Sequence, residues 1–383
     1  MPAKKAFGGR LEVAGPLCWA SRNQAKMFRL MATAGLELTD EAQLYGWTPL
    51  HVCAHAGHEA ATRALVDAKA DMAAKTRWGF TALHLAASEG PLDEAGEASD
   101  DDEAAPSRCG AAAATVLINA GADLEDTAGI DGRTALGISA QKGQKGVVRV
   151  LVDAGANLEA KRGPYGMTPL HDAAVEGRAG VVAILVEAGA NVATVTIDGR
   201  DISGGQTALH FAASFHRKKC ASVLVAAGAE VSAKDLKSRT PLHGAMDGEE
   251  RDCHEGVAKV LLAGGADVDA QDARGDTPLH LVLAHHHGSL GCVKLLLDAG
   301  ANWEIRNKRG ESPLKIARDV ARSHGDKNVA VSPCKNNTRL SCPTPLHCPV
   351  FLTSLHYRGT SLTRKRPPLR PYSSLMPRAQ RWS

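Results

Sequence analysis

The sequence predicts an all-α solenoid of paired antiparallel helices joined by hairpin loops, followed by a disordered C-terminal tail. Three observations lead there. A Thr-Pro/Ala-Leu-His tetrapeptide recurs at a near-constant interval. An apolar run ending in Gly-Ala-Asp/Asn accompanies the copies. Only 4% of the 383 residues are aromatic, against 44% hydrophobic. A core built from Ala, Leu and Val suits short stacked helices better than a sheet, and a fixed period marks a repeat array.

The anchor appears as Thr48-Pro49-Leu50-His51, Thr81-Ala82-Leu83-His84, Thr134-Ala135-Leu136-Gly137 and Thr168-Pro169-Leu170-His171. Thr207-Ala208-Leu209-His210, Thr240-Pro241-Leu242-His243 and Thr277-Pro278-Leu279-His280 follow, with Ser312-Pro313-Leu314-Lys315 as a degenerate eighth copy. The intervals are 33, 53, 34, 39, 33, 37 and 35 residues. Val150 to Asn157 and Leu295 to Asn302 show the second block in full.

Each part of the unit has a physical reason. The anchor Thr is a helix N-cap whose hydroxyl accepts from an orphan N–H of the first turn. Pro at the next position already has helical φ and lacks only a donor that would go unpaired. Leu faces the core. After a short loop a second helix buries its Leu/Val face, and the Gly that follows supplies a left-handed cap. The chain then turns back through a tip such as Asp131-Gly132 to the next anchor. A single unit cannot bury its own apolar face, so stability comes from stacking.

This two-block pattern resembles the ankyrin repeat over roughly residues 20–325. The resemblance implies that the anchor His ties neighbouring repeats together through its ring nitrogens. It also implies a concave binding surface, lined by hairpin tips and the exposed side of the first helices. The implied function is a protein–protein interaction scaffold or adaptor. The substrate-recognition subunit of a ubiquitin ligase or signalling complex is the alternative.

The departures define the organisation: a disordered N-terminus (1–19), about eight repeats (20–325) and a basic, Pro/Ser/Arg-rich disordered tail (326–383). The 53-residue interval places an insertion near 90–109, between the helices of the second repeat. Its stretch from Glu89 to Glu103 holds eight acids and no base, a composition that predicts disorder. The 39-residue interval lengthens a tip around 198–205, and the 37-residue interval adds a polar loop from Asp247 to His254. The eighth repeat lacks a second apolar helix. The tail carries ten basic residues against Asp326 alone, so the rest is mildly acidic despite a net charge of +3.

The nine cysteines are odd in number and scattered, which argues against a disulfide framework and for a reducing compartment. The expected location is the cytoplasm, with the nucleus second. No signal peptide is predicted, and no run approaches the ~18 apolar residues of a membrane span, so no membrane insertion is expected. His51, His55 and His58 have a spacing that would suit zinc on one helix, but His51 is an anchor and His58 matches the repeat. His285-His286-His287 has no Cys or acid nearby to complete a ligand set, and Cys334, Cys342, His347 and Cys348 contain no C-x2-C pair. No phosphate loop or nucleophile elbow is present. The chain is therefore read as no enzyme, with no cofactor and no metal, a metal-dependent hydrolase being the distant alternative. Arg364 to Pro371 reads as a nuclear-import patch or a polyproline ligand. Nucleic acid is disfavoured because that basic segment is confined to the tail, and a monomer is expected.

Carrying the binding positions over residue by residue places Tyr45, Trp47, Trp78, Phe80 and Tyr165 on the early tips. Lys237, Arg239, Arg274, Lys308 and Arg309 fall on the later tips. On the first helices His55, Glu89, Lys142, Glu176 and Phe215 face the groove. The expected partner is a protein, held by an aromatic anchor in the N-terminal half and by a basic section that meets acidic surface.

Overall fold

The computed structural model describes residues 46–88, 108–197, 204–247, 254–284 and 290–323. All belong to the first of two units, Met1–Asp326 and Lys327–Ser383. Outside the described residues lie the predicted disordered N-terminus, residues 89–107 of the acidic insertion, the core of the lengthened tip, the His285–His287 run and the tail with its Cys/His group. Tyr45 and Glu89 lie outside them too.

Fifteen helices are described, and all but the last fall into pairs. They are α1 (Pro49–His55) with α2 (Glu59–Asp67), α3 (Ala82–Ser88) with α4 (Arg108–Asn119), and α5 (Ala135–Lys142) with α6 (Lys145–Asp153). Next come α7 (Pro169–Glu176) with α8 (Ala179–Glu187) and α9 (Ala208–Ser214) with α10 (Lys218–Ala226). The last pairs are α11 (Pro241–Met246) with α12 (His254–Ala263) and α13 (Pro278–Ala284) with α14 (Leu290–Asp298). α15 (Pro313–Ser323) follows the degenerate eighth anchor. The leading helix of each pair packs on the leading helices before and after it, and the trailing helices do the same among themselves.

Two columns of leucine run through the stack. Leu50, Leu83, Leu136, Leu170, Leu209, Leu242 and Leu279 come from the leading helices, and Leu65, Leu117, Leu151, Leu185, Leu224, Leu261 and Leu296 from the trailing ones. All are essentially inaccessible to solvent. Alanines at Ala54, Ala86, Ala140, Ala174 and Ala213 are fully covered as well and let neighbouring leading helices approach closely. Cys53, Cys220 and Cys292 take similar buried sites outside any disulfide, and burial pushes the Cys53 thiol up to about 12.

The helix ends follow the sequence chemistry. Thr48, Thr134, Thr168, Thr207 and Thr240 are N-caps in extended backbone. Trailing helices are followed by glycine at positive φ: Gly121, Gly155, Gly189, Gly228, Gly265 and Gly300. Three non-glycine residues break the pattern. Lys69 (φ 61°) takes that glycine position after α2, and His216 (φ 58°) stands where other pairs have Gly57, Gly143 and Gly177. Ser238 (φ 58°) stands two residues before its anchor, where the other repeats have glycine throughout. Left-handed backbone strains a side chain, whereas glycine adopts it freely. Lys69→Gly, His216→Gly and Ser238→Gly should therefore each raise stability by about 1 kcal/mol, read as a higher urea midpoint at unchanged slope.

Candidate functional site

The anchor imidazoles fix the tips. At each His-bearing anchor the Thr backbone N–H donates to the ring Nδ1 of the His three residues on, at 3.0–3.2 Å. Nδ1 is thus an acceptor and the proton sits on Nε2. That N–H donates to a carbonyl of the next repeat: Phe80 from His51, Asp126 from His84, Gln206 from His171, Arg239 from His210, Asp276 from His243 and Glu311 from His280. The imidazoles lie in the core, and burial pulls the pKa of His51, His84, His210 and His243 down and that of His171 down to about 4. His51 spends both ring nitrogens this way, which explains its place in the HxxxHxxH spacing without a metal.

Each tip is then closed locally. Asp235 Oδ1 accepts from the backbone N–H of Lys237 and Arg239, Asp272 Oδ1 from Arg274 and Asp276, and Asn307 Oδ1 from Arg309 and Glu311, all at 2.8–3.0 Å. Main-chain bonds of 2.7–3.0 Å link one tip to the next: Gly129 to Trp78, Gly163 to Asp131, Ile197 to Tyr165, Leu236 to Gly204, Ala273 to Lys237 and Lys308 to Arg274. The tips from the second repeat to the eighth form one tied edge.

Among the described residues, that edge carries the large apolar side chains most open to water. Ile130 is 91% exposed, Leu236 66%, Ile197 53% and Val195 46%. The sequence reading concentrated on aromatics and missed these aliphatics. Their signal is an apolar residue inside a turn, beside Asp-Gly at Ile130 and beside Lys-Ser at Leu236, where no core can receive it.

Of the residues expected to bind, Trp78, Phe80, Tyr165, Lys237, Arg239, Arg274, Lys308 and Arg309 do share this edge, and Trp47 precedes α1 on the same side. The aromatics are half-buried rather than open. Trp47 stands edge-on to His55 at 5.2 Å and Phe80 edge-on to His84 at 6.1 Å, because each packs back on its own leading helix. Phe215 is brought elsewhere: it follows α9, at the end of the leading helix opposite the tips. Arg239 is half-buried and paired with Asp247 at 2.6 Å, and Arg274 lies 3.2 Å from Asp276. Lys237, Lys308 and Arg309 are exposed.

The third anchor is the exception. Gly137 offers no imidazole, and a Cβ built there would lie 3.8 Å from Oδ2 of Asp172. Asp172, on α7, is 2% exposed and bound by the guanidinium of Arg162, itself 8% exposed. Arg162 Nε donates to both carboxylate oxygens, at 3.0 and 2.7 Å. Arg133 lies close by, bound to Gln141 and Asp131 at 2.7 and 3.2 Å; burial and the neighbouring Arg162 lower its pKa. A buried ion pair thus occupies the junction from which the ring is missing. Its signal in the sequence is Asp172, the one acid found directly after an anchor His.

Among the described residues no three potential metal-ligating side chains gather in one group, and no helix is long and apolar enough to cross a membrane. A family model for ankyrin repeats (three copies) matches residues 17–95, 103–196, 195–272 and 250–324. No curated protein matches the chain.

Proposed function

Because the chain belongs to the ankyrin-repeat family, whose repeats generally mediate protein–protein interactions, we propose that it is a scaffold or adaptor holding a protein partner along its tip edge. The observation that carries this reading is the set of exposed Ile130, Ile197 and Leu236 on turns tied together by backbone hydrogen bonds. Apolar side chains held on a rigid edge gain from burial against a partner and lose little conformational freedom on binding. Trp47, Trp78, Phe80 and Tyr165 frame them with aromatic surface, the kind that most often carries binding energy. Lys237, Lys308 and Arg309 extend the edge with positive charge, which selects a partner whose corresponding stretch is acidic. Phe215, at the other end of its helix, has no part in this contact.

Ile130→Asp/Leu236→Asp and Trp47→Ala/Trp78→Ala are the testing variants. Partners captured from lysate by the full chain should be lost by at least tenfold in both variants, with the thermal melt of Ile130→Asp/Leu236→Asp unchanged. Capture indifferent to all four positions would remove the tip edge from the function.

A further inference from the structure

The leading helices have a second end, about 11 Å from the tips (at ~1.5 Å per residue), where each turns into its trailing helix. In the third to fifth repeats this edge is basic: Lys142 and Lys145, then Arg178, then Arg217, Lys218 and Lys219. Two of these side chains are held in place. Arg178 donates Nε to the carbonyl of Gln141 at 3.3 Å, and Arg217 repeats the contact one repeat later, onto the carbonyl of Val175 at 3.0 Å. Their stems lie across Gly143 and Gly177. A Cβ at either glycine would meet the arginine Cδ, at 2.8 and 2.7 Å. Each contact uses Nε alone, which leaves the two terminal nitrogens of each guanidinium outside it.

The charge there is poorly placed for stability. Arg178 and Arg217 are the N-caps of α8 and α10, and neither makes a side-chain capping bond. Lys145 and Lys218 open α6 and α10, and no acid occupies the first turn of α6, α8 or α10. Cations at a helix N-terminus oppose the macrodipole, and α2 and α12 instead have Glu59 and Glu255 in their first turns. Among the described residues none of Lys142, Arg178, Arg217 and Lys218 forms an ion pair with a carboxylate. Glu176, at the end of α7, accepts from Gln141 at 3.4 Å. A local rule broken in three consecutive repeats, with two arginines already held, marks a surface kept for something other than folding.

We propose that this edge is a second docking surface, separate from the tips, for an extended acidic segment of a partner protein. Arg178 and Arg217 present their forks to two carboxylates one repeat apart, and the lysines supply the surrounding field.

The test is fluorescence anisotropy of a labelled (Asp-Glu)5 decapeptide with the full chain, alongside an (Asn-Gln)5 control. The wild type is expected to bind the acidic peptide alone. Arg178→Gln/Arg217→Gln should weaken that binding at least tenfold, while Lys308→Gln/Arg309→Gln on the tips leaves it unchanged. Arg178→Lys/Arg217→Lys retains charge and stem, guards against misfolding, and should not recover the affinity. The proposal is overturned if the wild type does not bind the acidic peptide, if the tip variant loses as much as the arginine variant, or if the lysine variant binds fully. Tighter binding of a ten-nucleotide thymidine strand through the same arginines would also overturn it, in favour of a nucleic-acid ligand.

Discussion

Asp172→Ala should lower stability by about 3–5 kcal/mol, among the largest effects expected of any single substitution in the chain. The substitution removes the carboxylate bound by the Arg162 guanidinium, which is nine-tenths buried and also reaches Asp131 at 3.7 Å, and taking one partner from an interior ion pair is the costly way to break it. Arg162→Ala should cost a similar amount through the stranded carboxylate. Replacing both partners at once, as Arg162→Met/Asp172→Leu, removes both desolvation penalties and should cost far less than the sum of the two single changes. Urea unfolding of the wild type, Arg162→Ala, Asp172→Ala and the combined Arg162→Ala/Asp172→Ala gives the coupling energy directly. Additive losses would mean that the pair does not act as a unit.

Acid should unfold the array sooner than its carboxylates alone would dictate. His51, His84, His171, His210 and His243 are held neutral in the fold, and their pKa values lie below the ordinary one. In the unfolded chain they titrate near 6.5, so below that pH the unfolded state binds protons that the folded state does not. Stability is therefore complete above about pH 6.5 and falls as pH decreases through the folded values. For His171, a drop from 6.5 to about 4 corresponds to about 3 kcal/mol. Protonation at Nδ1 would also set a second N–H against the Thr amide that donates there. The urea midpoint should fall steeply between pH 6.5 and 4, and His171→Gln should flatten that dependence. A midpoint constant across this range would contradict the linkage.

The fold was legible because its determinants are local and repeated. A Thr, a Pro at the first helical position and a buried Leu lie within three residues of one another; the Thr and the buried Leu recur at six further anchors, three of them with the Pro. The exchange of an imidazole for an ion pair was not legible, because it joins residues 137, 162 and 172 from two repeats and shows only when they are brought together. The same holds for Arg178 and Arg217, whose carbonyl partners lie 37 and 42 residues earlier in the chain. At the candidate site the five basic residues that the sequence placed on tips do lie along the tip edge. The sequence did not show that Trp47 and Phe80 fold back on their own helices while Ile130, Ile197 and Leu236 stay open, since exposure depends on how one turn sits against the next.

Gly137 divides the stack unequally. Every other anchor preceding a further anchor ties its repeat to the next through an imidazole, whereas Gly137 of the third repeat faces the Arg162–Asp172 pair of the fourth, and Arg162 also reaches Asp131 of the third at 3.7 Å, contacts indifferent to histidine titration. Between pH 6.5 and about 4 the protons that loosen the rest of the array find no ring to enter at that junction. Mild acid should therefore loosen the imidazole-tied junctions on either side before it loosens the junction between the α5/α6 and α7/α8 pairs.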